Sequence, residues 1–231
     1  MKTAENFLSG QILLIDKPLH LTSFDVVNKL RWGIKNAFNI KKIKVGHAGT
    51  LDPLATGLLV ICTGKMTKQI DTFQGQVKEY TGTFVLGSTT PSYDLETEIN
   101  ATFPTEHITK ALINETTKQF IGDIEQFPPI FSAIKKDGKR LYEFARAGEQ
   151  VDIKSRIVNI SEFEITTIKE NHLEFRVVCS KGTYIRSLAN DFGKALNSGA
   201  HLSVLRRTKI GDFDVKKAIS PVEFIKQLPH K

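Results

Sequence analysis

Two cysteines, Cys62 and Cys179, are too few for a disulfide framework or a metal cluster. Each lies in an apolar, β-branched run that suits a buried thiol. Long apolar runs are missing too. The longest, Leu58 to Cys62, falls far below the roughly 18 residues that cross a bilayer. The start, Met1 to Asn6, lacks the apolar stretch and small-residue cleavage site of a signal peptide, which points to the cytoplasm. No internal repeat and no Pro/Ser/Gly linker breaks the chain. What is there is ordinary for a globular protein: 231 residues, 40% hydrophobic and 25% charged, enough to bury a core without staples.

The charge is not balanced. Thirty-two basic residues against 25 acidic ones give a formal +7, which attracts polyanions, RNA foremost in a cytosol. From Val26 to Leu51 there are six cations (Lys29, Arg31, Lys35, Lys41, Lys42 and Lys44) and no acid. Further clusters are Lys135, Lys136, Lys139, Arg140 and Arg146, and Arg206, Arg207, Lys209, Lys216 and Lys217. Any one of them could be a solvated face. Together they flank the chain's most informative motifs.

Periodicity predicts a strand over Gln11 to Ile15 and a helix capped by Ser23, with Phe24, Val27, Leu30 and Ile34 on its apolar stripe. It predicts a buried strand at Leu58 to Cys62, a short helix over Lys65 to Phe73 and a half-buried strand over Glu79 to Leu86. Thr105 can cap a helix that carries Ile108, Ala111, Leu112 and Phe120. Gln126 to Gln150, rich in Pro, Gly and cations, reads as an excursion with a helical piece at Arg140 to Ala147. Strands at Arg156 to Thr167 and His172 to Cys179 follow. Then come a helix with Ile185, Leu188, Ala189, Phe192 and Leu196 on one face, and a last strand over His201 to Ile210. Helices and strands mix without a βαβ repeat, which predicts an α+β fold with a mostly antiparallel sheet.

The segment Gly46-His47-Ala48-Gly49-Thr50-Leu51-Asp52-Pro53-Leu54-Ala55-Thr56-Gly57 carries the chemistry. Its three glycines permit tight turns and close backbone approach. Pro53 drives Asp52 out of the helical region, so the carboxylate projects from a turn anchored by the apolar strand that follows. That suits a catalytic acid, and it equally suits an Asx turn whose carboxylate bonds backbone amides. Read alone, His47 is a turn residue, Lys17 a lysine at a strand end, Tyr80 a strand-core tyrosine and Arg186 an exposed helix arginine.

That segment, with Lys44 and Val45 before it and Leu58 to Gly64 after it, closely resembles the catalytic motif of the TruB family, the bacterial tRNA pseudouridine-55 synthases. Gly10 to Ser23 resembles the family's first motif, with His20 where glycine is common. Lys78-Glu79-Tyr80 resembles its tyrosine segment, and Gln126 to Lys135 with Gly138 and Leu141-Tyr142-Glu143 its RNA-clasping insertion. Cys179 to Arg186 resembles its arginine motif, and Gly199 to Leu202 through Leu205-Arg206-Arg207 its last core strand.

The resemblance implies one pseudouridine synthase catalytic domain over residues 1–231, with an insertion at about 126–150. It implies a short form without the C-terminal PUA domain of many members. It implies isomerisation of uridine to pseudouridine in the TΨC loop of tRNA (position 55) on a flipped-out base. Asp52 is then the catalytic carboxylate, Arg186 the arginine that pairs with it and Tyr80 the ring that stacks on the target base. His47 fills the place of the extruded base, and Lys17 and Pro18 support the floor of the site. Asp94 matches a family aspartate, although its surroundings differ from the usual pattern. Lys135, Leu205, Arg206 and Arg207 fall in the substrate-binding motifs. The reaction gains no atoms and involves no redox change, so no cofactor and no metal is implied. The partner is the TΨC stem-loop, met by a monomer without guide RNA or membrane. The alternatives are a non-catalytic tRNA-binding or RNA-folding protein on the same scaffold, a guide-RNA-dependent synthase and a base-excising glycosylase. Only the synthase readings use the trio of Asp52, Tyr80 and Arg186.

Overall fold

Strands form where the chain alternates or runs apolar, and helices where apolar residues recur at three and four. The computed structural model describes residues 3–149 and 151–229. In chain order the strands are β1 (Ile12–Lys17), β2 (Val45–His47), β3 (Ala55–Thr63), β4 (Lys78–Leu86), β5 (Ser88–Thr89), β6 (Ala101–Thr102), β7 (Gly122–Gln126), β8 (Lys135–Lys136), β9 (Lys139–Arg140), β10 (Arg156–Lys169), β11 (His172–Cys179), β12 (Ala200–Ile210) and β13 (Phe213–Asp214). The α-helices are α1 (Ala4–Ser9), α2 (Ser23–Phe38), α3 (Ile70–Gly75), α4 (Lys110–Lys118), α5 (Leu141–Ala147), α6 (Ile185–Ala195) and α7 (Pro221–Lys226). The residues fall into two units. The first runs to Tyr80 and resumes at Leu205, and the second is Thr81–Val204, so β4 and β12 contribute to both. The class is α+β, with antiparallel pairing predominant.

In the first unit β3 is central. It pairs antiparallel with β1, from Ile12↔Cys62 to Lys17↔Gly57, and with β2. It pairs parallel with β12, from Leu205↔Ala55 to Arg207↔Gly57. Successive strand residues face opposite ways. Leu59 and Ile61 therefore pack with Ile15, Val27, Leu30 and Phe224, while Leu58 and Val60 pack with Ala48 and Ile210. An unbroken apolar run is what a strand covered on both faces requires.

Helix α2 differs from its sequence reading in two linked ways. Thr22 is the N-cap: its hydroxyl accepts from the Asp25 N–H at 3.0 Å, and the Asp25 carboxylate accepts from the Thr22 N–H at 2.9 Å. Ser23 thus lies inside the helix, where 3.6 residues per turn place it about 20° from Leu30 on the buried face. Phe24, expected on that face, falls about 120° away and is 63% exposed; Val26 takes its place in the core.

In the second unit β10 pairs with β11, from Ile160↔Cys179 to Lys169↔His172, and with β7. Phenylalanines from several elements fill its core. Phe84 stacks on Phe175 at 4.1 Å, and Phe163 meets Phe192 of α6 edge-on at 5.3 Å. Helix α4 is capped by Thr109, whose hydroxyl accepts from Leu112 N–H at 3.1 Å, rather than by Thr105, whose carbonyl closes a preceding turn with Ile108. The segment expected as an insertion holds β8, β9 and α5; Gln150 lies outside the described residues. The start of this segment is tied down. The Gln126 amide exchanges two hydrogen bonds with the Tyr184 backbone, and Phe127 O accepts from the Ser187 hydroxyl at 2.7 Å.

Candidate active site

The turn bearing Asp52 is held on both sides. On one side the Ser23 hydroxyl, free of capping duty, accepts from Leu51 N–H at 2.8 Å and donates to Leu51 O at 3.1 Å. On the other, Pro53 O accepts from His20 N–H at 2.8 Å and, more loosely, from Lys17 Nζ at 3.5 Å. Asp52 O accepts from Ala55 N–H at 3.0 Å, which closes the turn into β3. Asp52 as a residue is half-buried, and its backbone is held on both sides, the arrangement that lets a reacting group act without reorganising.

Lys17 lies at the end of β1 and is 0% exposed. Its ammonium donates to Leu21 O at 2.6 Å and Pro18 O at 2.8 Å. Burial lowers its pKa from 10.5 to about 8; the Asp52 carboxylate opposes that shift and the Arg207 guanidinium adds to it. The unfolded chain therefore holds more protons than the folded one between pH 8 and 10.5, and stability at this site rises with pH across that window. We expect urea unfolding at pH 7.5, 9 and 10.5 to show wild type gaining on Lys17→Met by a few kcal/mol, roughly 1.4 per pH unit at most. A difference that stays flat across the series would mean Lys17 is not buried as a charged group.

Parallel pairing brings Leu205, Arg206 and Arg207 alongside Ala55, Thr56 and Gly57. Gly57 has φ +103°, and a Cβ there would lie 2.3 Å from Arg207 O, so only glycine fits. Neither arginine has the free guanidinium expected of a phosphate ligand. Arg207 is 1% exposed and donates to Leu58 O at 2.8 Å and Gly49 O at 3.0 Å, bonding the glycine-rich loop at Gly49 to β3. Arg206 forks onto Asp16, with bonds of 2.7 and 3.0 Å, in a half-exposed and therefore solvent-screened pair. Burial, and then the Arg207 charge, holds the His47 imidazole below its ordinary pKa against an opposing bond with Gly49. His47 is thus neutral at pH 7. Leu205 is buried, and Pro18 is exposed.

Tyr80 is buried on β4, in the first unit with Asp52, His47 and Lys17. Arg186, Asp94 and Lys135 belong to the second unit. Arg186, expected at a helix surface on spacing alone, is 4% exposed. Its Nη1 donates to Phe131 O at 2.9 Å and Ser92 O at 3.3 Å, and its Nε lies 3.6 Å from the Asp94 carboxylate. Asp94 also accepts from Glu96 N–H at 3.0 Å, and the hydroxyls of Thr90 and Ser92 donate to its carbonyl. Lys135 is exposed on β8. Among the described residues no group of three or more His, Cys, Asp or Glu could hold a metal ion, and no helix is long and apolar enough to cross a membrane.

Sequence reasoning missed the supports: Ser23, the backbone of His20, and the Ser92 and Phe131 carbonyls. His20 had one signal. It occupies the position where the resembling motif commonly has glycine, and its φ is +64°. Left-handed backbone costs a residue with a Cβ about 1–2 kcal/mol, which is why glycine is favoured there.

Two family models match the chain. One, described as TruB family pseudouridylate synthase (N terminal domain), covers residues 35–185, and the other, tRNA pseudouridylate synthase B C-terminal domain, covers residues 186–228. A curated relative from Flavobacterium johnsoniae, named tRNA pseudouridine synthase B, is 68% identical over 227 residues, covering 98% of this chain and 99% of that protein. One of the same name from Phocaeicola vulgatus is 57% identical over 219 residues, 95% of this chain and 93% of its own. Among solved structures, a chain of a Cbf5-Nop10-Gar1 complex superposes with a TM-score of 0.69 at 30% identity. That match covers 94% of this chain and 54% of the other, so this chain spans about half its length.

Proposed function

The chain belongs to the TruB family of pseudouridylate synthases and isomerises uridine to pseudouridine in tRNA, and from this premise we propose that Asp52 is its catalytic carboxylate and the TΨC-loop uridine (position 55) its target. The observation that supports this reading is the clamped turn, with Leu51 held by Ser23 and Pro53 held by His20 and Lys17 on either side of Asp52.

In the reaction the C1′–N1 bond breaks, the base turns and C5 joins C1′. The C5 proton leaves and N1 gains one, so atoms balance without redox. Asp52 supplies the carboxylate that the glycosidic step needs. Tyr80 stacks on the base and moves the C5 proton. His47, neutral and backed by Arg207, fills the gap left by the flipped nucleotide. Arg186 is held for its role by Asp94 and by two backbone carbonyls. Exposed cations such as Lys135, Lys41 and Lys42 hold phosphates, which gives affinity without reading sequence. The TΨC arm is met directly, by a single copy of the chain and without a guide RNA.

The test is incubation of an unmodified tRNA transcript with the protein alone, followed by chemical mapping of pseudouridine. A single new modification at the TΨC-loop uridine is expected. An unmodified transcript, or modification at other uridines only, would refute the assignment.

A further inference from the structure

Two exposed rings are tethered to the Asp52 turn, and the fold makes no use of either. Phe24 adjoins Ser23, whose hydroxyl is bonded to both backbone groups of Leu51. Phe24 is 63% exposed and stands outside the core that α2 builds with Val26, Val27, Leu30 and Ile34. His20 is also exposed, and its backbone N–H is bonded to Pro53 O at 2.8 Å. Leu51 and Pro53 are the two neighbours of Asp52. The backbone that carries each ring is therefore tied to one flank of the residue assigned to catalysis, and Leu19, next to His20, is itself 49% exposed.

His20 holds its left-handed φ of +64° on an exposed loop, where its N–H serves Pro53 O but its side chain gains no core packing. Glycine would make the same backbone bond without strain, so the imidazole kept there points to another use of the side chain. The surroundings name the ligand class. Asp25 adjoins Phe24 but is bonded to Thr22, and around α2 Arg31 and Lys35 recur within about 20° of Phe24, so the helix face that bears this ring carries cations that attract a polyanion. Flat, rigidly backed rings on such a surface suit unpaired bases, which RNA loops splay out and proteins stack on Phe and His.

We propose that His20 and Phe24 form a base-stacking clamp for a loop nucleotide adjacent to the target uridine, so that they are substrate-positioning residues of this chain. The proposal rests on the tRNA-isomerising reading above. The clamp acts through stacking, so it needs an aromatic plane at position 24 and an imidazole at position 20.

Steady-state kinetics on an unmodified TΨC stem-loop, with thermal unfolding of each variant, test this. Phe24→Leu keeps the apolar bulk and loses the plane; KM should rise about tenfold, the scale of one lost base–ring stack. Phe24→Trp keeps the plane and should stay near wild type. His20→Gly should raise the melting temperature, because the strain is gone, and yet raise KM about fivefold. A purely structural residue would not move these two readouts in opposite senses. Trp32→Phe, on a ring about 12 Å further along the helix, should leave KM unchanged. A Phe24→Leu enzyme with wild-type KM, or a His20→Gly enzyme that is more stable with unaltered KM, would overturn the clamp. Asp52→Asn, assayed in parallel, separates the failures. If it is dead while Phe24→Leu is normal, only the clamp fails; if it turns over, the underlying reading fails with it.

Discussion

Asp52→Asn is expected to lower single-turnover pseudouridine formation by ~10,000-fold or more, the scale of loss when a reacting group is removed from a catalytic unit. Affinity for tRNA should stay within a few-fold. The substitution is isosteric and leaves the backbone bonds of the turn intact: Asp52 O to Ala55, Leu51 to Ser23 and Pro53 to His20. Binding is spread over many cations, and one side chain in the turn contributes little to it. The substitution carries an electrostatic signature as well. The Asp52 carboxylate favours the protonated form of buried Lys17, so in Asp52→Asn the Lys17 pKa should drop further below about 8. Filter binding, rapid-quench kinetics and alkaline titration of the lysine by NMR measure the three effects separately. Near-normal turnover would take Asp52 out of the chemistry.

Arg186→Lys should cost about 100-fold in kcat/KM, although it conserves charge. The guanidinium donates through one nitrogen to Phe131 O and Ser92 O while another edge faces the Asp94 carboxylate at 3.6 Å. An ammonium is a compact point charge on a flexible stem and cannot reproduce that planar spread. It would leave a buried carbonyl or the buried Asp94 carboxylate short of a partner, which costs more than the bond itself contributes. A loss of 100-fold corresponds to ~2.7 kcal/mol of transition-state stabilisation, within the range for one electrostatic contact at a reacting centre. Lys35→Ala, on the basic face of α2, is the comparison. If both variants are only mildly and equally affected, Arg186 belongs to the scaffold and not to the site.

The parts legible from sequence were those that a local pattern specifies. The apolar run at Leu58 to Cys62 reads as a buried strand, and it is the core of β3. The stripe of Ile185, Leu188, Ala189 and Phe192 could only be one face of a helix, and α6 buries it. Pro53 after Asp52, with glycines on either side, already implied a turn. Motif order along the chain was enough to place it in its family, because that order is itself a property of sequence.

What sequence could not supply was the company each side chain keeps. Two threonines four residues apart could each cap α4, and Thr109 does so. Ser23 and Thr22 both cap well, and the carboxylate of Asp25, within reach of Thr22, turned the helix so that Ser23 met Leu51 and Phe24 faced water. Arg206 and Arg207 are adjacent and chemically identical, and no local rule tells them apart. Strand alternation sent one to the Asp16 carboxylate and the other to the Gly49 carbonyl, and only the parallel pairing of β12 with β3 decided which. Lys17 ends a strand in the sequence and becomes a buried cation only when the Leu21 and Pro53 carbonyls close over it. Periodicity and motif order are local and survive in one dimension. Burial, hydrogen-bond partners and pKa depend on segments up to 190 positions apart meeting in space, and those only the tertiary structure decided.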